Sequence, residues 1–453
     1  MNNFNIEKQD VISGSSRLVS KNKFFDKTKY ALENMRYNLS YIEYLRKKNT
    51  HDDDSKILNE FKQKFLNYRE SWKNFPDKMY AQNIDDFNYL SSSIAGPLCV
   101  DIETASICDL ACPHCFREYI LTPDKIMNFE MYKKIIDEIV LLGVPSIKLN
   151  WRGEPLLNKQ IGKFIKYAKI SGIIDVAINT NATNLDEKMA ETLIDSGLDY
   201  IIYSFDGGTK KTYENMRPGR FRLNKFEDVY KNIENFNAIK IRKKAKFPVT
   251  KIQMVLTDQT RNEINEFYDL FNHIVDDVTV TPYSERGGNL NDLKKDQKSK
   301  ILEYLKKNKL PLKSNYTVEA GNKISVALGR KPCAQIFQRI MITYDGRVAM
   351  CCMDWGAQHC IGYVNNAAFD INKTLKDLKL KIDGNKKGFE LLKNAKYPKD
   401  FNSPKKKIET IKEIWNGAEI NKIRNLHKAS KLDEIDICKG CDFTDTYVWK
   451  EIE

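Results

Sequence analysis

The spacing of apolar positions changes character near residue 97. Between residues 22 and 75 they recur at helical spacing, as with Tyr30, Met35, Leu39, Tyr41, Ile42 and Leu45, which predicts amphipathic helices. "HDDDS" at 51–55 interrupts the run, and its aspartates suit the first turn of a following helix. A helical N-terminal segment is expected over residues 1–97, ending near Gly96-Pro97. From Leu98 short apolar or β-branched runs alternate with helical ones. "LCVDIET", "SIKLNW", "DVAINTN", "YIIYSFD", "KIQMVL" and "DVTVTPY" read as strands. "NFEMYKKIIDEIVLLG" and "LDEKMAETLIDSG" read as helices with glycine stops.

Such strands between helices predict a parallel sheet. Six units fill residues 98–283, roughly 31 residues apiece, which is the size of a βαβ repeat. A closed eight-unit barrel takes about 250 residues. The expected fold is therefore α/β, a partial (β/α)6 TIM-like barrel over residues 98–310, with its chemistry at the C-terminal ends of the strands. After Lys331 the pattern shifts again. "QIFQRIMIT" and "RVAMCCM" flank the turn "YDG" like a hairpin, and "KIETIKEIWNGAEINKIRNLHKA" reads as a helix before a terminal "CKGC". Residues 330–453 are expected to form a small C-terminal α+β domain, with a Lys- and Asn-rich insertion at about 365–406.

Composition narrows the class without deciding it. Apolar residues are 42% and charged residues 30% of 453, an ordinary globular balance. The N-terminus lacks a signal-peptide stretch, and no run approaches the ~20 apolar residues of a membrane span. A cytoplasmic protein without a membrane partner is expected. The net charge of +13 comes mostly from Lys interleaved with Glu and Asp, with no nucleic-acid motif beside it, so nucleic acid is not an expected partner. Ten cysteines in that compartment point to metal binding more than to disulfides.

"CDLACPHCFR" puts Cys108, Cys112 and Cys115 just after the first strand. Structural zinc takes four ligands and a disulfide two, whereas three thiolates on a 4Fe–4S cube leave one iron open. Zinc and unligated buried thiols are the other readings. The Cys-x3-Cys-x2-Cys spacing on a barrel's first loop resembles the radical S-adenosylmethionine (radical SAM) superfamily. That resemblance implies that the open iron chelates SAM, and that reductive cleavage releases a 5′-deoxyadenosyl radical. "WRGEP" after the second strand resembles the family's Gly-Gly-Glu motif, which binds the methionine ammonium; Gly153 and Glu154 carry over, while Arg152 replaces the first glycine. By the same resemblance Asn181, Ser204 and Arg217 are candidates to bind the ribose or carboxylate, and His114 to lie against the adenine.

A second cysteine set follows residue 330. Cys333 precedes the hairpin, Cys351 follows Gly346 with four residues between, and Cys438-x2-Cys441 closes the set. This resembles the twitch domain, the shortened SPASM form, which implies a second, auxiliary 4Fe–4S cluster. Zinc in a ribbon is the alternative. Cys351 is chosen over Cys352 for its spacing from the glycine, and Cys99, Cys352 and Cys360 are read as small buried hydrophobes. "IGYV" and "EIWNG" also match SPASM-type tails, although the insertion separates them.

The resemblance implies an oxidoreductase-like radical SAM enzyme that abstracts hydrogen from a small polar substrate, sugar or aminocyclitol-like, in an oxidation or epimerisation. A flavodoxin- or ferredoxin-type reductant would be its partner. Peptide or protein maturation is the alternative substrate class. A non-catalytic electron-transfer protein is the alternative of another kind, disfavoured by Gly153-Glu154. Tyr203, Asp206, Tyr283, Glu285 and Asp354 are the acid–base candidates, being at strand ends or beside the second cysteine set.

Overall fold

Alternation along the strands decides which side of the sheet is apolar. In the structure, a computed structural model, residues 25–48, 54–81, 96–115, 117, 123–282, 295–309, 316–318, 324–354, 357, 359–369, 407–439, 441, 443 and 446–452 are described. Six parallel strands follow one another: β1 Cys99–Ile102, β2 Ser146–Lys148, β3 Asp175–Thr180, β4 Tyr200–Ser204, β5 Val249–Leu256 and β6 Asp277–Pro282. One parity of residue, including Val100, Ile147, Val176, Ile201, Ile252 and Val278, enters the core beneath the helices. The other parity, including Lys148, Ala177, Ile202, Lys251 and Asp277, lines an interior cavity.

The intervening helices begin and end on local signals. In α4 (Phe129–Leu141), the Asn128 side chain accepts from the amides of Glu130 and Met131, satisfying donors that the helix leaves free. Met131, Tyr132, Ile135, Ile136 and Ile139 form its buried face. The next, α5 (Ile161–Ser171), stops on Gly172 at φ +113°, a left-handed cap that glycine adopts without strain. Asp186 caps α6 (Glu187–Asp195); α7 (Lys210–Met216) and α8 (Phe226–Arg242) follow β4, and α9 (Ile264–Phe271) follows β5.

Three N-terminal helices, α1 (Lys27–Glu33), α2 (Leu39–Lys48) and α3 (Asp54–Ala81), lie under the N-terminal ends of the strands. Phe61, Phe65, Tyr68 and Trp72 of α3 pack with Leu98, Cys99 and Ile174. Lys27 Nζ reaches Asp175 at 3.0 Å, and Asn38 Nδ2 donates to Ile174 O and to Asp199 Oδ1. The segment thus closes the end of the barrel opposite the cysteine loop.

The C-terminal part departs from the hairpin expectation. Gln335–Gln338 is a short helix (α11, after α10 Lys295–Lys307) rather than a strand. All four of its residues are buried, which strand alternation would not allow at a surface. A helical turn admits Ile336 and Phe337 to the core while Gln338 Nε2 donates to Trp72 O. β9 (Arg339–Ile342) then pairs parallel with β1, Cys99 opposite Arg339 and Ile102 opposite Ile342. β10 (Arg347–Ala349) and β11 (Cys360–Tyr363) add antiparallel. The hairpin therefore extends the barrel sheet to nine strands in the order β11-β10-β9-β1-β2-β3-β4-β5-β6. A separate sheet joins β7 (Tyr316–Val318), β8 (Ile324–Arg330) and β12 (Tyr447–Ile452). The single helix expected before "CKGC" is two, α12 (Ile411–Trp415) and α13 (Ala418–Lys428), with α14 (Asp436–Lys439) carrying Cys438. The break falls at Asn416-Gly417, where a Cβ on Gly417 would stand 2.8 Å from Glu413 O. Most of the 365–406 insertion lies outside the described residues. Among the described residues no helix is long and apolar enough to cross a membrane.

Candidate active site

The loop after β1 is held from below and from the side. Asp109, beside Cys108, accepts from Asn181 Nδ2 at 2.8 Å, Thr183 Oγ1 at 2.6 Å and Asn184 Nδ2 at 2.8 Å. This ties the cysteine loop to the loop after β3. On the other flank the Ala111 amide donates to Pro218 O at 2.9 Å, and the Arg220 amide to Asp109 O at 2.7 Å. Cys108 and Cys115 are partly exposed and Cys112 is buried. Burial pushes the Cys112 thiol up to about 12 against the opposing charge of Arg217.

Beside this loop sits the turn after β2. A Cβ on Gly153 would collide with the carbonyl oxygens of Ala105 and Ile107, so the close approach of two backbones requires glycine. The Glu154 amide donates to Ile107 O at 2.8 Å. Its carboxylate accepts from Leu156 N at 3.0 Å, Thr180 Oγ1 at 2.7 Å and Asn181 N at 2.8 Å. Burial raises the group to about 7 although all three hydrogen bonds oppose it. A carboxylate has about four lone-pair sites, so one acceptor position remains. Arg152 forms a buried bidentate pair with Glu103, Nε to Oε1 and Nη2 to Oε2, both at 2.6 Å. Glu103 Oε2 also accepts from Tyr344 N at 3.3 Å, and Trp151 Nε1 donates to Cys352 O at 3.2 Å. The strand-two turn is thereby fastened to the C-terminal hairpin.

Asp206, just past β4, is fully buried among donors. His114 Nε2 lies 3.2 Å and Arg217 Nη2 2.7 Å from its Oδ2, and Oδ1 accepts from Val255 N at 2.7 Å. Burial alone would raise the carboxyl, but Arg217, His114 and the amide hold it down to about 2. A permanent anion so placed is a poor proton acceptor, which removes Asp206 from the acid–base candidates and makes it the anchor of Arg217 and His114. Arg217 Nε is buried without a hydrogen-bond partner. Tyr203 packs 6.1 Å from the Phe236 ring in the helix-facing core, on the wrong side of the strand for substrate. Ser204 has the interior parity. The Asn181 side chain is committed to Asp109. Tyr283 and Glu285 lie outside the described residues.

The four C-terminal thiols meet. Cys333, Cys351, Cys438 and Cys441 line one cavity, and Cys352 is not among its lining residues. Sequence reasoning missed what surrounds them. The Arg330 guanidinium donates to Cys438 O, and the Tyr447 hydroxyl to Cys441 O, so the small three-stranded sheet grips the CxxC backbone from behind. His427 of α13 contacts both Cys333 and Cys438; burial, with the Arg330 charge behind it, lowers its pKa to about 4. No local motif marks these residues, since each reaches the cavity from a different element. Asp354 stands nearby, but its Oδ2 accepts from His359 N at 2.8 Å, a loop clamp.

Residues 102–271 match the model of the Radical SAM superfamily. The chain carries a radical SAM domain. Residues 333–387 match a second model, SPASM, an iron-sulfur cluster-binding domain. Curated relatives include a probable GTP 3′,8-cyclase of Methanothermobacter marburgensis, 34% identical over 25% of this chain and 36% of that protein. The GTP 3′,8-cyclase of Clostridium botulinum is 32% identical over 36% and 49%. A probable GTP 3′,8-cyclase of Methanocaldococcus jannaschii is 26% identical over 55% and 83%. The chain spans about a third to a half of the length of the first of these relatives. Among solved structures, BtrN in complex with AdoMet and 2-DOIA is 15% identical with a TM-score of 0.42, covering 77% of this chain and 94% of that one. SuiB of Streptococcus suis bound to S-adenosylmethionine is 18% identical with a TM-score of 0.44, covering 77% and 76%.

A radical SAM domain followed by a SPASM domain implies 4Fe–4S clusters and S-adenosylmethionine as cofactors. The residues fit these groups. Three thiols on the radical SAM loop leave one iron open, beside a carboxylate with a spare acceptor position and a buried guanidinium Nε. In the SPASM domain a tetrahedral zinc would need four sulfurs about 2.3 Å from one point. Among the described residues no group of three or more His, Cys, Asp or Glu is placed to hold a single metal ion, while the four thiols line one cavity.

Proposed function

We propose that this radical SAM enzyme oxidises a small polar substrate, sugar or aminocyclitol-like, by two hydrogens. One would leave as a hydrogen atom to the 5′-deoxyadenosyl radical, the other as a proton to solvent. The four C-terminal thiolates would hold a second cluster able to accept the electron left on the substrate radical. The observation that carries the reading is the convergence of Cys333, Cys351, Cys438 and Cys441 on one cavity. When bound, the first cluster supplies the electron that splits the C5′–S bond of SAM into methionine and a 5′-deoxyadenosyl radical. This chain's own residues bind and orient. Glu154 would accept the methionine ammonium at its remaining position, a charge-assisted contact. Arg217, held by Asp206, would offer Nε to the carboxylate. The barrel interior is polar: Gln253 Nε2 donates to Thr281 Oγ1 at 3.0 Å, and Lys148, Lys251, Asp277 and Arg339 line the cavity behind. The N-terminal helices close that end, and a flavodoxin- or ferredoxin-type protein would supply the first electron.

A nucleotide substrate is the second reading. It is favoured by the kinship to GTP 3′,8-cyclases and by Lys148 and Arg339 in the interior cavity.

Metal analysis tests the core of the proposal. Reconstituted protein should carry roughly eight irons per chain, against about four irons and one zinc for the alternative. Cys333→Ala should lose about four irons and still form 5′-deoxyadenosine. With a panel of sugars and aminocyclitols, wild type should yield a product two hydrogens lighter that this variant does not make. Stoichiometric zinc would overturn the electron-acceptor role, and consumption of GTP instead would select the nucleotide reading.

Glu154→Gln gives a further expected result. Loss of a charge-assisted hydrogen bond costs roughly 1.5–3 kcal/mol, so SAM affinity should fall about ten- to a hundredfold with the cluster spectrum unchanged. Because the wild-type carboxyl sits at about 7, protonation below that pH discharges it. Wild-type affinity should drop about fivefold from pH 7 to pH 6, where an α-amino group stays protonated, while the Gln variant should be flat. Equal SAM dissociation constants for both proteins would count against the role.

A further inference from the structure

His427 joins two of the four C-terminal cysteines, one through its backbone amide and the other through its sulfur. Its Nδ1 accepts from the Cys333 amide at 3.1 Å, and its Nε2 lies 3.4 Å from Cys438 Sγ. An imidazole nitrogen that accepts an N–H cannot itself hold a proton, so the single ring proton sits on Nε2. That N–H points at the sulfur. Tying α13 to the Cys333 backbone needs only Nδ1; the second contact has no structural task of its own. The Arg330 guanidinium lines the same cavity, donates to Cys438 O, and leaves its Nε buried without a hydrogen-bond partner.

We propose that His427 is a positioning residue for the second cluster, which sets the Cys333–Cys438 pair and raises the cluster's reduction potential by donating Nε2–H to the Cys438 thiolate. An N–H dipole aimed at a ligand sulfur stabilises the more negative, reduced state, and hydrogen bonds to sulfur are among the main determinants of cluster potential. The Arg330 charge acts in the same direction. The consequence is a cluster poised to receive an electron rather than to give one. The inference rests on the second-cluster reading above.

The test uses the full chain in a Cys108→Ala, Cys112→Ala, Cys115→Ala background, where only the second cluster reports. That parent should hold about four irons. His427→Leu should keep the irons but shift the reduced-to-oxidised ratio at a fixed potential about five- to tenfold towards oxidised; tenfold corresponds to about 59 mV for one electron. His427→Gln, which retains a donor, should recover part of the shift. Should the Leu variant fail to load iron, pulsed electron paramagnetic resonance on the 15N-histidine-labelled parent decides: a nitrogen coupled to the reduced cluster is expected, and its absence overturns the proposal. A parent with full iron whose potential ignores His427→Leu overturns this inference alone. A parent holding zinc or no iron overturns the cluster reading and this inference with it.

Discussion

Replacing Cys108, Cys112 and Cys115 by alanine together should abolish 5′-deoxyadenosine formation while leaving about four irons per chain. The loop should survive the change, because its supports are not the thiols. Asp109 is held by Asn181, Thr183 and Asn184, and the backbone at Asp109 and Ala111 is paired with Arg220 and Pro218. The second thiol set stands on α14, on the segments beside β8 and β10, and just before β12, so its iron should be retained. Anaerobic reconstitution, iron analysis and chromatography of SAM products check this. A variant that still released 5′-deoxyadenosine with a strong reductant would place the radical chemistry elsewhere.

Glu103→Gln should destabilise the barrel by about 3–5 kcal/mol, because it leaves the Arg152 guanidinium buried without its countercharge. Both side chains are essentially inaccessible, 1% and 0% exposed, so solvent screening cannot relieve the loss. For a cooperative unit of barrel size, about 2–4 °C per kcal/mol gives a fall of about 10 °C in melting temperature. Replacing the pair together, Glu103→Leu with Arg152→Met, should recover most of it, since an apolar pair of similar volume avoids the desolvation cost. Hydrogen exchange should show the loosening first near Tyr344, whose amide bonds Glu103. If Glu103→Gln melted like wild type, the pair would not be what joins the strand-two turn to the hairpin.

The position of Arg152 shows why a motif departure is hard to interpret from sequence. Where the family has glycine this chain has a cation, and nothing local says where it points. Its partner lies 49 residues earlier, and the amide that completes the arrangement 241 residues from that partner. The same holds for Asp206: a carboxylate at a strand end reads as a catalytic candidate until the fold brings Arg217 and His114 against it. Tyr203 failed for a simpler reason, parity, since one step along β4 turns a side chain from the interior to the helices.

The sequence by itself determined the strands and helices of the barrel and the gathering of three cysteines on one loop. Strand and helix periods, capping residues and glycine stops are local, and three cysteines within eight positions are confined to one loop by the length of the chain between them. The six-strand count and the position of the cysteine loop after β1 followed from these alone. Tertiary structure decided what depends on contacts between distant segments. β9 joined β1 because edge pairing depends on what else covers that edge, and Gln335–Gln338 became helical because all four residues are buried. Cys351 rather than Cys352 reached the second cavity by the geometry of the turn after β10. His427 and Arg330, 97 positions apart, came to the same cysteine, one at its sulfur and the other at its carbonyl, only through the tertiary fold, and no spacing rule connects residues that meet across so long a stretch of chain.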